Sequence, residues 1–195
     1  MATDQMQVGP GKNITGWVME EVPSQTITKL EGAERQLRAA IRLFFEDWDL
    51  LPVQTLAAAA HEVLFQLSGR KEGGSLLKNS GLIKPEMQKE WIDRIKSVPN
   101  FLKHASKDAT KTEQFYPETI EYWIFDCILM HEKMGYMRLR ESVVFLGWFI
   151  SQNPHIFTPG AFGADAGKVS ERGGVSKAIM FEVIKDPKTY PVPGK

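Results

Sequence analysis

Residues 29–45 read Lys29-Leu-Glu-Gly-Ala-Glu-Arg-Gln-Leu-Arg-Ala-Ala-Ile-Arg-Leu-Phe-Phe45, and this stretch decides the fold class. Leu30, Ala33, Leu37, Ala40, Ile41, Phe44 and Phe45 recur at spacings of three and four, which gathers them on one face of a helix. Thr28 just before the run predicts an N-cap, and Glu31 three residues later completes a capping box. Glu31 with Arg35, Glu34 with Arg38 and Arg42 with Glu46 make four-residue charge pairs on the outer face. Each such pair adds roughly 0.2–0.5 kcal/mol, so they solvate the helix and imply no ligand.

The same periodicity continues outward. Pro52, at an expected first helical position, opens a second helix that runs to Leu67, and its Ala57-Ala-Ala-Ala60 run lets a neighbouring helix approach closely. Gly69 to Gly74 ends it. Pro85 starts a third helix with Trp91, Ile95, Val98, Leu102 and Ala105 on one stripe, and Pro99 inside it is expected to kink or restart it by removing an amide donor. Pro117 opens a fourth, carrying Ile120, Ile124, Cys127, Ile128, His131 and Met134, with Gly135 as its stop. A last helix from Leu139 to Gln152 is apolar nearly all round, which predicts burial between its neighbours. About five helices with short connections predict an all-α bundle over 28–157. Extended arms flank it, over 1–27 and, rich in Gly and Pro, over 158–195, where 175–186 reads as a short strand or helix.

Composition bounds the function. Of the 195 residues 43% are apolar and 25% charged, enough to bury a core and too apolar for a disordered chain. The 24 Lys and Arg balance 24 Asp and Glu, so any nucleic-acid or phosphate binding must come from a local patch. The longest wholly apolar run, Val143-Val-Phe-Leu-Gly-Trp-Phe-Ile150, is far shorter than the roughly 20 residues of a membrane-spanning helix, which argues against membrane transport. The lone Cys127 closes no intramolecular disulfide, and Met1-Ala-Thr-Asp-Gln5 lacks a basic and then apolar leader, so the expected location is cytoplasmic.

Most candidate motifs read as structure. Gly163-Ala-Asp-Ala-Gly-Lys168 has one residue too few between its glycines for a phosphate loop, and Val169 stands where a magnesium-binding hydroxyl belongs. Cys127 and His131 lie one turn apart beside Asp126, but on an apolar stripe they read as a buried thiol and a hydrogen-bonded core histidine rather than metal ligands. His61 after the alanine run reads as packing or a polar residue on a helix face. No metal and no cofactor is called for. One constellation stands out: Lys96, Asn100, Lys103, His104 and Lys107 fall on one face of the third helix, opposite its apolar stripe. From Arg94 to Lys111 five cations meet one acid, Asp108, which makes a phosphate-friendly surface in a neutral chain.

Pro99-Asn-Phe-Leu-Lys-His104 resembles the signature of the HEPN superfamily, an arginine, a polar residue and then a histidine. Asn100 and His104 match; Pro99 stands where that family has its arginine. The resemblance implies metal-independent RNA cleavage across a dimer, with His104 moving the 2′-hydroxyl proton, Asn100 orienting, and Lys103 or Lys96 replacing the missing cation. Lys lacks the fixed fork of Arg, so that replacement is not conservative. The stretch from Lys29 to Phe157 also resembles a group of bacterial helical proteins, through its first helix, Thr55-Leu-Ala-Ala-Ala-Ala-His61 and Asn100-Phe-Leu-Lys-His-Ala105; this resemblance implies no activity.

The expectation is therefore a non-catalytic intracellular helical module. Its basic face takes a phosphate, nucleotide or RNA, and its arms and bundle dock a protein partner or a second copy. The alternatives are a HEPN-like ribonuclease of toxin or defence type, and a purely structural subunit.

Overall fold

The computed structural model describes residues 24–69, 74–78, 84–104, 109–157 and 175–186. Among them the chain forms six α-helices and no strand: α1 (Lys29–Phe45), α2 (Leu50–Leu67), α3 (Gln88–Lys103), α4 (Ile120–Lys133), α5 (Arg140–Gln152) and α6 (Lys177–Lys185). Single 3₁₀ turns at Pro85–Met87 and Pro117–Thr119 lead into α3 and α4, and a third, Pro154–Ile156, follows α5. The all-α class is as expected.

Helix α1 starts as its sequence dictates. The Thr28 hydroxyl accepts the Glu31 amide at 3.1 Å while the Glu31 carboxylate accepts the Thr28 amide at 2.7 Å. Its apolar face, Ala33, Leu37, Ala40, Ile41, Phe44 and Phe45, is buried. The outer charges behave differently from the i to i+4 reading. Arg42 leaves Glu46 and donates twice to the buried Glu141 of α5, at 2.6 and 3.0 Å, and Glu34 pairs with His131 of α4 at 2.9 Å. These charges tie helices together because a buried partner outcompetes an exposed neighbour whose pairing contributes only a few tenths of a kcal/mol.

Helix α2 is the centre of the bundle, packed on α1 along one side and on α4 along another. Ala57, Ala58 and Ala60 are buried where these helices approach. It begins at Leu50 rather than Pro52, because Asp49 caps it by accepting the Leu51 amide at 2.9 Å. Pro52 then falls third in the helix, where the backbone N–H has no intrahelical partner and its loss is harmless. Asp47 turns the chain between α1 and α2 with φ of 58°, a left-handed geometry that Asp tolerates better than most side chains.

Helix α5 lies against α1, α4 and α6, and its Phe145, Trp148 and Phe149 join Phe44, Phe45 and Phe125 in an aromatic core of edge-on and stacked pairs. The segment 175–186, left open between strand and helix in the sequence, contains helix α6. It packs on α1 and α5, buries Ile184, and places the Lys177 ammonium 3.9 Å from the centroid of the Phe44 ring. The remainder of the two expected arms lies outside the described residues, apart from the few positions that lead into α1 and α6.

Helix α3 is peripheral and meets the bundle chiefly through α2. It does not restart at Pro99: the helix runs unbroken through it, and Pro99 is its one buried residue.

Candidate functional site

The basic face expected on α3 lies at its C-terminal end. Asn100 and Lys103 are exposed in its last turn, and His104 is the exposed residue at which the chain leaves the helix. None of the three makes a hydrogen bond or ion pair among the described residues. Lys96, one turn earlier, is half-buried, and its charge acts on Glu62 of α2 and on Lys78. Lys107 lies outside the described residues. The stripe opposite is incompletely covered: Trp91, Ile95 and Val98 are half-buried, and Leu102 is 39% exposed. Pro99 faces inward, so a side chain there does not share the surface of Asn100 and His104.

A second constellation, unforeseen in the sequence, sits inside the bundle. His61 on α2, Asp126 on α4 and Ser75 on the short 74–78 segment are each buried to within about 1%. One carboxylate organises them. Asp126 accepts His61 Nε2–H at 2.8 Å, Ser75 Oγ–H at 2.6 Å, the Leu76 amide at 2.7 Å and the Leu77 amide at 3.1 Å. Ser75 Oγ in turn accepts the Lys78 amide at 2.9 Å. The 74–78 segment is thereby strapped to α2 and α4 by polar bonds converging on one side chain.

The charges follow from this geometry. Burial raises the cost of the Asp126 carboxylate, but the donors from His61, Ser75 and Leu76 outweigh it and hold the group below the usual aspartate range. Burial pushes the His61 imidazole down, against the smaller opposing pull of Asp126. His61 is therefore neutral with its proton on Nε2, as an ionised acceptor requires. Its Nδ1 is buried with no hydrogen-bond partner among the described residues, and the Trp123 ring stands edge-on with its centroid 4.8 Å from that of the imidazole.

Ser, His and Asp together suggest a nucleophilic triad, but the arrangement differs. Ser75 Oγ lies 3.3 Å from the same Nε2 that donates to Asp126. A general base needs a free nitrogen toward the serine and a protonated one toward the aspartate. Here both partners crowd one nitrogen, so the group joins elements instead of activating a hydroxyl.

Beside it Lys78 Nζ meets Glu62 Oε2 at 2.5 Å and lies 4.7 Å from the Phe65 ring centroid. The pair is asymmetric: the Lys78 side chain is 5% exposed and that of Glu62 46%. Burial lowers Lys78 by more than Glu62 restores. For Glu62, burial is outweighed by bonds from Lys78 and Gln66, which bring it to about 2. The Trp91 indole N–H of α3 donates to Leu77 O at 2.7 Å, linking α3 to the strap.

Cys127 and His131 sit apart in function despite their spacing. Cys127 Sγ–H donates to Ala57 O at 3.5 Å, and burial pushes this thiol well up; His131 Nε2 goes to Glu34. Among the described residues no three metal-binding side chains cluster, and no helix is long and apolar enough to cross a membrane. The signal that could have found the buried group was Asp126 itself, a charge inside the apolar run Ile124-Phe-Asp-Cys-Ile128, where a carboxylate needs partners.

Comparison of the chain with protein-family models, curated proteins and solved structures gives no match.

Proposed function

We propose that the chain is a non-catalytic helical binding module whose phosphate-bearing ligand meets the end of α3 at Lys96, Asn100, Lys103 and His104. One observation carries this reading: Asn100, Lys103 and His104 share an exposed helix end and are committed to no partner among the described residues. The negative end of the helix dipole favours cations there, so phosphate would be held by side chains and not by backbone amides. A cytoplasmic location and protein docking through the arms belong to the same reading; the buried free thiol of Cys127 fits a reducing compartment.

RNA is the ligand to test. Anisotropy of a labelled single-stranded RNA, titrated at several salt concentrations, should give a slope of log affinity against log salt that falls in magnitude by about 0.7 for Lys103→Gln. Lys89→Gln, at the far end of α3, should leave it unchanged. Equal slopes for wild type and Lys103→Gln would reject the α3 face. The accessibility of His104 one turn beyond Asn100 favours a second reading, a metal-independent ribonuclease. The same RNA in EDTA distinguishes it: cleavage by wild type that His104→Ala abolishes supports the nuclease, and no cleavage by either removes it.

A further inference from the structure

We propose that His61, Ser75 and Asp126 form an acid-sensitive latch, which holds the 74–78 strap and, through Trp91, helix α3 against the bundle. On acidification these two elements detach together while α1, α2, α4 and α5 stay packed. The latch does not depend on what α3 binds.

The two sets of elements are held by different forces. Helices α1, α2, α4 and α5 share a continuous apolar core that includes Leu37, Ile41, Leu64, Ile124 and Phe145, all essentially inaccessible. The strap meets this core through one half-buried side chain, Leu77. Leu76 is 40% exposed, and the bonds holding the segment run to Asp126 and, through Lys78, to Glu62. Helix α3 fully buries Pro99 alone, rests the half-buried Ile95 on the core, and bonds to the strap through Trp91 and Leu77 O. Elements with few buried apolar contacts open locally at lower cost than the core.

The proton's destination makes the latch responsive to acid. His61 Nε2 already carries a proton for Asp126, so a second must go to Nδ1, which is buried and faces no acceptor among the described residues. The charges around the ring are Asp126 from α4, Lys78 from the strap and Glu62 from the same helix, with Lys96 of α3 acting on Glu62 and Lys78. Cys127 on α4 stays a neutral thiol, and α1 faces α2 with apolar side chains. Asp126 favours an imidazolium, but burial disfavours it more and Lys78 adds to that. Removing the strap would admit water to the ring and let Nδ1 protonate in the ordinary histidine range. The open form then holds one more proton than the closed form. Its population relative to the closed form rises about tenfold per pH unit below roughly 6.5, until the closed form itself protonates.

Hydrogen exchange of the full chain at pH 7.5 and 5.5, corrected for intrinsic amide chemistry, tests this. The amides of Leu76, Leu77 and α3 should exchange about tenfold faster at the lower pH, with α1 and α4 unchanged. Unchanged exchange in the strap and α3 would overturn the latch, as would equal acceleration in every helix. His61→Gln retains a donor toward Asp126 but does not titrate, so it should abolish the acid effect; a persisting effect overturns the role of His61. Should that variant not fold, nitrogen NMR of the wild-type imidazole decides: a neutral Nε2–H ring at pH 5.5 is expected, and an imidazolium in the closed protein refutes it.

Discussion

Replacing Asp126 by Asn changes no heavy-atom count and removes one charge at the point where four donors converge. In the wild type the carboxylate serves His61, Ser75 and the amides of Leu76 and Leu77. An asparagine oxygen placed at Oδ1 keeps Leu76, but its NH₂ then faces three donors at Oδ2. Ser75 can rotate its hydroxyl and His61 can move its proton to Nδ1. Leu77 has no such freedom, so its amide is left without an acceptor at about 1–3 kcal/mol, and a proton moved to Nδ1 of His61 finds none there either among the described residues. The bonds that survive fall from the charge-assisted range of about 1.5–3 kcal/mol toward the neutral range near 1. Together the loss is about 3–5 kcal/mol, a large part of the roughly 5–15 kcal/mol that stabilises a typical domain. Urea unfolding followed by circular dichroism at pH 7.5 reads it as a midpoint lower by about 2 M, for a slope near 2 kcal/mol per M.

Acid gives the same variant a second signature. The folded-state pKa of Asp126 is depressed, so its contribution is present above about 3.8 and is lost as pH falls through the folded value. Asp126→Asn has no such window, and its stability should vary less with pH below 4 than that of the wild type. Glu90→Gln breaks an ion pair whose side chains are 64% and 76% exposed, and serves as the control, expected within about 0.5 kcal/mol. If Asp126→Asn proves as mild as Glu90→Gln, the four-donor arrangement does not stabilise the fold.

The Glu62–Lys78 pair should respond unequally to loss of either partner. Glu62→Gln leaves a nearly enclosed ammonium without its counter-charge and should cost about 1–2 kcal/mol in urea unfolding, whereas Lys78→Met leaves a solvated carboxylate, keeps contact with Phe65, and should cost under about 1 kcal/mol; the reverse order would refute the assignment of which group is desolvated. Arg140 on α5 donates to Val183 O at 2.6 Å and to Asp186 O, closing the C-terminal end of α6. Arg140→Ala should therefore loosen α6, with amide exchange at 180–186 at least tenfold faster and α1 unaffected, and unchanged exchange there would show that apolar packing alone holds the helix.

Local patterns were readable, and pairings between distant residues were not. The capping box of Thr28 and Glu31 and the apolar face of α1 arise from neighbours three and four apart, so the sequence displays them directly. Gly135 ends α4 just after Met134 with φ of 83°, again a local requirement that only glycine meets at no steric cost. Pro52 marked the start of α2 only to within its first turn, because a proline is tolerated anywhere the backbone N–H would be unpaired. Arg42 was misassigned to Glu46 since proximity in sequence says nothing of a buried Glu141 on another helix. His61 and Asp126 are 65 residues apart, and Ser75 stands 51 from Asp126 in a segment with no periodicity. The α3 face was legible as a row of cations. The half-burial of Lys96, whose charge acts on Glu62 of α2, was not, since it depends on how α3 packs against α2.

The burial of Cys127 gives the molecule its own opening gauge. It is the only thiol in the chain, and it sits in the seam between α2 and α4. A thiol reagent reaches it only when those two helices part, because thiolate formation and access are both suppressed in the packed state. Detachment of peripheral elements would leave the reagent unconsumed, and breathing of the central seam would consume one equivalent. The rate of that single reaction therefore distinguishes fraying at the edge from opening at the centre.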